Sequence, residues 1–293
     1  MELQENKNGS TEAEKEMQSR KKALLAQMEK LAEHDICLAF SGGVDSSLLL
    51  KLAVDAAAVH GTKVYAVTFQ TRLHPPCDLE TATRVAKEVG AIHEILYVDE
   101  LEQEAIRHNP ENRCYLCKHH LFGKLLEFAH AHGITQVLDG TNEDDLHVYR
   151  PGLKALREYG VISPLAACHV KKAGVKALAA EYGVSVAHRP STPCMATRLP
   201  YGAEINYDVL DCIAEGEAWL HGLFGAEENL RLRVHGDMVR LEIAPARMME
   251  VLEKREEITE YLKKLGFSYL TLDLEGFRSG SMDQKIKQKE ETK

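Results

Sequence analysis

The apolar run Ile36-Cys37-Leu38-Ala39-Phe40, followed at once by Ser41-Gly42-Gly43-Val44-Asp45-Ser46-Ser47, decides the fold. Unbroken apolar residues fit a strand of a parallel sheet that is buried on both faces. A helix follows through Leu48, Leu49, Leu52 and Val54. Between strand and helix, two glycines let the backbone turn tightly and approach an anion closely. The helix start then points N–H groups and the positive dipole end at that anion. Ser41, Ser46 and Ser47 add hydroxyl donors, and Asp45 is placed to hold Mg²⁺ against phosphates. A plain Gly-Ser turn capping the helix with Ser41 or Asp45 is the competing reading. The strand–loop–helix setting of all seven loop residues, Val44 included, favours a phosphate loop. Neither G-x-x-x-x-G-K-[ST] nor G-x-G-x-x-G occurs here, so a P-loop NTPase and a Rossmann dehydrogenase are unsupported.

The same unit repeats on either side. Helical spacing precedes it at Leu24, Leu25, Met28 and Leu31. Strand runs follow at Val64–Phe69, Ile92–Val98 and Ile134–Leu138, with helical segments at Leu79–Val89, Leu121–His130 and Val170–Tyr182 and a short strand expected at Val184–Ala187. Strands alternating with helices predict βαβ units and a doubly wound parallel α/β sheet. From Ala203 the texture changes to a helix over Asp208–His221 and two alternating runs, Leu230–Val234 and Val239–Ile243, around the polar turn His235-Gly236-Asp237. With a helix over Met248–Leu265 and a strand over Tyr269–Leu274, this predicts a small α+β domain. The expected organisation is a polar, unstructured leader (1–22), a large α/β domain (23–202), the α+β domain (203–282) and a polar tail (283–293).

Composition bounds the function. The 293 residues are 44% hydrophobic, enough for ordinary globular cores. No apolar run approaches the roughly 18 residues of a membrane span, and Met1–Lys22 lacks a signal-peptide core, so a cytoplasmic protein is expected. Acidic residues outnumber basic ones 45 to 36, and neither terminal segment accounts for the net charge of −9. That balance argues against broad nucleic-acid binding through a basic face.

Seven cysteines in such a chain do not suggest a disulfide framework. Cys114 and Cys117 form a C-x-x-C pair after the turn-rich Asn109–Arg113, and Cys194 lies between Pro190, Pro193 and Pro200. Both segments follow strand signals, and such loops gather at the carboxyl edge of doubly wound sheets. The trio admits a structural zinc site with a fourth ligand among His119, His120 and Cys168, a [4Fe–4S] cluster with one iron left open, or unremarkable loop thiols. A thioredoxin-like redox setting is missing. Cys37 and Cys212 read as packing residues, Cys77 and Cys168 as incidental, and no histidine except His235 invites a role. Asp139-Gly140-Thr141-Asn142-Glu143-Asp144-Asp145 closes the fourth strand; its carboxylates suit a Mg²⁺ shell and Asn142 a nucleotide, or the stretch merely caps a helix. Arg150 is a candidate phosphate neighbour. Arg231 and Arg233 alternate with apolar residues and so share one strand face, where they would clamp a phosphate or simply be solvated.

The heptapeptide resembles the pyrophosphatase loop of the PP-loop ATP pyrophosphatases, an adenine nucleotide alpha hydrolase-like group that includes GMP and NAD synthetases and tRNA-thiolating enzymes. The resemblance implies cleavage of ATP to AMP and pyrophosphate with adenylation of a substrate oxygen. The series N-R-C-Y-L-C-K (112–118), G-T-N-E-D-D (140–145), R-P-G (150–152), S-P-L (163–165), C-M-A-T-R (194–198), R-L-R-V-H-G (231–236) and T-L-D-L-E-G-F-R-S-G-S-M (271–282) is similar to the LarE family over about residues 25–282. That resemblance implies an ATP-dependent sulfur transferase in nickel-pincer nucleotide biosynthesis, acting on the carboxylates of a pyridinium-3,5-biscarboxylic acid mononucleotide. ATP would lie on Ser41–Ser47, Gly140 and Asn142, with Mg²⁺ on Asp45 and the substrate phosphate on Arg231 and Arg233. One family form spends the sulfur of the cysteine matching Cys194. The other holds a [4Fe–4S] cluster on three cysteines matching Cys114, Cys117 and Cys194, with the open iron carrying a transferable sulfide, and this chain resembles that form. A sulfide donor and a homo-oligomer, a hexamer by resemblance, are further implied, with no membrane or nucleic-acid partner. tRNA thiolation and synthetase-type amidation are the alternative activities, and a non-enzymatic metal-binding scaffold is the remaining one.

Overall fold

A computed structural model describes residues 2–189, 192–278 and 280–283. Along the chain run α1 (Glu2–Leu31), β1 (Ile36–Ala39), α2 (Val44–His60), β2 (Val64–Gln70), α3 (Pro76–Val89), β3 (Ile92–Tyr97), α4 (Glu104–Arg107) and α5 (Arg113–Ala131). Then come β4 (Gln136–Leu138), α6 (Gly152–Glu158), α7 (Pro164–Ala167), α8 (Lys172–Glu181), α9 (Tyr207–Phe224), β5 (Arg231–His235), β6 (Met238–Glu242), α10 (Met248–Glu253), α11 (Arg255–Lys264) and β7 (Tyr269–Leu272). Two compact units result. The first is Met1–Thr71, Pro76–Val98 and Cys114–Ser191; the second gathers Arg72–Pro75 and Asp99–Arg113 with Thr192–Lys293.

In the first unit the strands lie in the order β3-β2-β1-β4, all pairs parallel. Successive strand residues face opposite ways, and β1 shows why its sequence is apolar without alternation. Ile36 and Leu38 pack with α1, α2, α3 and α8, whereas Cys37 joins the opposite layer, built by Phe122, Leu125 and Ala129 of α5 and Leu153 and Leu156 of α6. Helices thus cover both faces, as the doubly wound reading expects. Burial alone pushes the Cys37 thiol up to about 12, consistent with a packing role. Because β4 lies on the far side of β1 from β2, the order in which the chain adds strands reverses between β1 and β4. The crevice beyond the carboxyl ends of such a pair is where doubly wound sheets bind ligands.

Two local expectations in this unit need correction. Val184–Ala187 forms turns rather than a strand: Val184, Val186 and Ala187 are buried in the core, but their N–H bonds run to nearby carbonyls, as from Val184 N to Ala179 O (2.8 Å). The apolar signal there reports burial, not a ladder. A rudimentary fifth partner comes instead at Ile162, bridged in parallel to Leu138. The leader is drawn into α1, where Met17 packs on the core, Lys21 pairs with Glu181, and Arg20 with Glu16.

In the second unit α9 packs on a β5-β6-β7 sheet whose first pair is the expected antiparallel hairpin and whose second pair is parallel. Leu210, Ile213 and Leu220 of α9 meet Leu232, Val234, Val239 and Leu241 in its core. The helix expected over Met248–Leu265 breaks at Lys254 into α10 and α11. Pro190, Ser191, Ser279 and residues 284–293 of the tail lie outside the described residues, as do the side chains of Cys77 and Asp283.

Candidate functional site

Backbone geometry builds the loop after β1. Gly42 has φ +69°, and a Cβ there would lie 2.9 Å from the backbone nitrogen of Ala82 in α3, so only glycine fits. Gly43 is the N-cap of α2 in extended conformation and, lacking a side chain, leaves the first-turn N–H groups uncapped. Ser41 Oγ lies 3.2 Å from Ser46 Oγ, which donates to Gly43 O (3.1 Å). Ser47 Oγ is buried with no hydrogen-bond partner among the described residues. A glycine-capped helix start ringed by hydroxyls is a ready anion site.

The segment after β4 closes on this loop. A Cβ on Gly140 would come within 3.0 Å of Ser46 N, so the glycine lets the two backbones meet. Asn142 Nδ2 donates to Asp45 Oδ1 (3.1 Å), while Asn142 Oδ1 accepts from Asp145 N (3.3 Å) in a capping box. Asp45 Oδ2 receives the ammonium of Lys172, the first residue of α8, whose own N–H donates to Asp144 Oδ2 (2.8 Å). The acidic stretch is otherwise engaged. Asp139 accepts from Thr141 Oγ1 and Ser163 Oγ (both 2.5 Å), Glu143 meets His147 and His169, and Arg150 pairs with Asp145 (2.9 Å). Among the described residues no three His, Cys, Asp or Glu side chains are grouped to hold a metal.

Cys114 and Cys117 occupy the first turn of α5, exposed and half-buried respectively. Their i, i+3 spacing puts both thiols on one helix face, near the N-terminus of the helix.

In the second unit Cys194, half-buried, precedes a single 3₁₀ turn, Met195–Arg198. Its carbonyl accepts from Thr197 N (3.0 Å) and Thr197 Oγ1 (2.7 Å). Arg198 Nη1 reaches Pro193 O (3.0 Å), and its fork is held by Glu217 (Nε–Oε1 3.0 Å, Nη2–Oε2 2.8 Å), both side chains being buried. Glu217 also accepts from Leu232 N (2.9 Å), between Arg231 and Arg233. Those two arginines share a face but differ in their partners. Arg233 donates to Thr197 O (2.5 Å) and pairs with the fully buried Glu242 (3.0 Å). Arg231 lies over the Phe277 ring at 5.2 Å and donates to Leu230 O (2.5 Å), and among the described residues it pairs with no carboxylate. Burial, then Arg198 and Arg233, push its guanidinium below the ordinary value. Of Arg198, Arg231 and Arg233 it is the one without a carboxylate partner among the described residues.

Lys172, Arg198 and Glu217 are the residues that sequence reasoning missed. Arg198 stood inside a quoted motif without a role; Lys172 and Glu217 have no local signature, since each acts on a partner distant in sequence.

A parallel sheet with a glycine–serine loop at its switch point defines an ATP-using protein of the PP-loop class, and residues 21–146 match the asparagine synthase family. A pyridinium-3,5-bisthiocarboxylic acid mononucleotide synthase of Lactiplantibacillus plantarum is 33% identical over 268 residues, covering 92% of this chain and 95% of that protein. Uncharacterised proteins of Synechocystis sp. (36% identical; 84% of this chain, 91% of that one) and Methanocaldococcus jannaschii (30%; 86% and 94%) are similar too. The chain belongs to the LarE family.

Proposed function

We propose that this protein is an ATP-dependent sulfur transferase that converts carboxylates of a pyridinium-3,5-biscarboxylic acid mononucleotide to thiocarboxylates, in nickel-pincer nucleotide biosynthesis. The observation that carries the reading is the glycine-capped start of α2, with Asp45 and three serines at the switch point of the sheet. A carboxylate oxygen attacks the α-phosphorus of ATP, the bond to the β-phosphate oxygen breaks, and pyrophosphate leaves with that electron pair. Sulfur then attacks the acyl carbon, and AMP departs. Backbone N–H groups of α2 and the hydroxyls of Ser41, Ser46 and Ser47 bind the phosphates, and Gly140 and Asn142 position the nucleotide-side loop. Arg231, with its open charge, and Arg233 bind the substrate phosphate.

One carboxylate beside nucleotide phosphates is how Mg²⁺ is commonly held, and Asp45 fits that role; the ion would neutralise phosphate charge. Cys114 and Cys117 on one face of a helix N-terminus suit an iron–sulfur cluster, with Cys194 proposed as third ligand. Such a cluster, when bound, supplies an iron open to sulfide from a donor. If it is absent, Cys194 is the sulfur source. A cytoplasmic homo-oligomer, a hexamer by family resemblance, completes the reading; among the described residues no helix is long and apolar enough to cross a membrane.

The test is pyrophosphate release by anaerobically purified protein with and without the mononucleotide, alongside iron and acid-labile sulfide in wild type and Cys114→Ser. Substrate-dependent release is expected, with about four irons per chain that the variant loses. Substrate-independent release overturns the activity. Absence of iron, with Cys194 losing the mass of H₂S on turnover, replaces the cluster by sacrificial transfer.

A further inference from the structure

Lys172 is tied at both ends to residues of the nucleotide site. Its backbone N–H holds Asp144 in the loop after β4, and its ammonium sits on Asp45 of the loop after β1. The pair is not sealed: the Lys172 side chain is 37% exposed and that of Asp45 19%. The other donors of the loop are neutral backbone and hydroxyl groups. Two other cations on the surrounding segments have carboxylate neighbours of their own, Arg150 on Asp145 at 2.9 Å and Lys118 at 4.0 Å from Asp139. Unmatched, the charge of Asp45 would repel an incoming polyphosphate.

We propose that Lys172 is a phosphate-binding residue of this site, parked on Asp45 while no nucleotide is present and passing to the β- and γ-phosphates when ATP enters. The inference rests on the ATP-binding reading above. A lysine suits this exchange, because its flexible stem moves a compact charge a short way and a point charge is how lysines engage phosphates. The move frees the Asp45 carboxylate for the metal that accompanies ATP. It also makes the residue a reader of the pyrophosphate portion, so ATP and pyrophosphate depend on it and AMP does not.

Calorimetric titration of the full chain with α,β-methylene-ATP, pyrophosphate and AMP, each with Mg²⁺, tests this in wild type, Lys172→Ala, Lys172→Met and Lys172→Arg. Both neutral variants should weaken the ATP analogue and pyrophosphate about 10- to 100-fold, the scale of a hydrogen bond to a charged group, and leave AMP within about twofold, with arginine restoring most of the loss. Lys172→Met keeps the apolar stem and serves where alanine disturbs folding. Equal weakening of AMP and the ATP analogue would make Lys172 a purely structural tie, and no weakening of either would remove it from the site; both overturn the proposal. Should the wild type bind none of the three, the ATP-binding reading itself falls, and this inference with it.

Discussion

In the loop after β1 the groups proposed to face an anion are backbone N–H donors and serine hydroxyls, set by Gly42 and Gly43; beside β5 they are guanidinium groups, set by buried carboxylates. The first region achieves charge complementarity through a helix end and short hydroxyl side chains that need little fixing. The second must fix long, flexible side chains, and it does so by burying Glu217 against Arg198 and Glu242 against Arg233. A backbone-built site fails when its shape is filled, whereas a side-chain-built site fails when a hidden counter-charge is lost.

That contrast breaks most visibly at Glu217. Glu217→Ala leaves Arg198 buried without its carboxylate, and we expect a loss of about 3–5 kcal/mol, read from urea unfolding of the full chain. A loss below about 1 kcal/mol would mean the arginines are not held this way. In the loop, Gly42→Ala should cost about 2–4 kcal/mol through its positive φ and the clash with Ala82, and abolish ATP binding. Gly43→Ala is the control: its Cβ would meet only Ser41 Oγ at 3.4 Å, so less than about 1 kcal/mol is expected. Equal effects at the two glycines would refute the shape argument.

The paired arginines sharpen the comparison further. Arg233→Ala should cost about 1–3 kcal/mol of stability by leaving the buried Glu242 with Arg240 as its remaining cation and by unpairing Thr197 O. Arg231→Ala should leave the unfolding midpoint nearly unchanged while weakening the mononucleotide about tenfold or more, measured by equilibrium binding. Among the thiols, native-state alkylation at pH 8 followed by mass spectrometry should leave Cys37 unmodified. Its raised value keeps it protonated there, with a thiolate fraction about a thousandfold below that of an ordinary cysteine. The exposed Cys114 should react readily, and modification of Cys37 at a similar rate would contradict its place between the two layers.

Much of the first region was legible in the chain. Local chemistry fixes a glycine-rich turn between an apolar run and a helix, so Ser41–Ser47 could be read directly. The alternation of strands and helices gave the parallel sheet. The hairpin at His235-Gly236-Asp237 was equally plain, because turn residues and alternating faces are local signals. Val184–Ala187 misled, since apolar residues report burial whether or not a neighbouring strand offers hydrogen bonds. The break at Lys254 was hidden because the helical periodicity continues on both sides of it.

Sequence by itself thus determined the α/β class, the phosphate loop, the cysteine and arginine candidates and the family resemblance, all carried by residues close together in the chain. Only the tertiary structure decided that Lys172 sits on Asp45, that Arg198 is forked onto Glu217, and that Arg231 rather than Arg233 keeps an open charge. It also decided that Arg72–Pro75 and Asp99–Arg113 belong to the second unit. The physical reason is range. Turn and helix signals act over a few residues, whereas ion pairing and burial depend on which distant segments the packed core brings within a few ångströms.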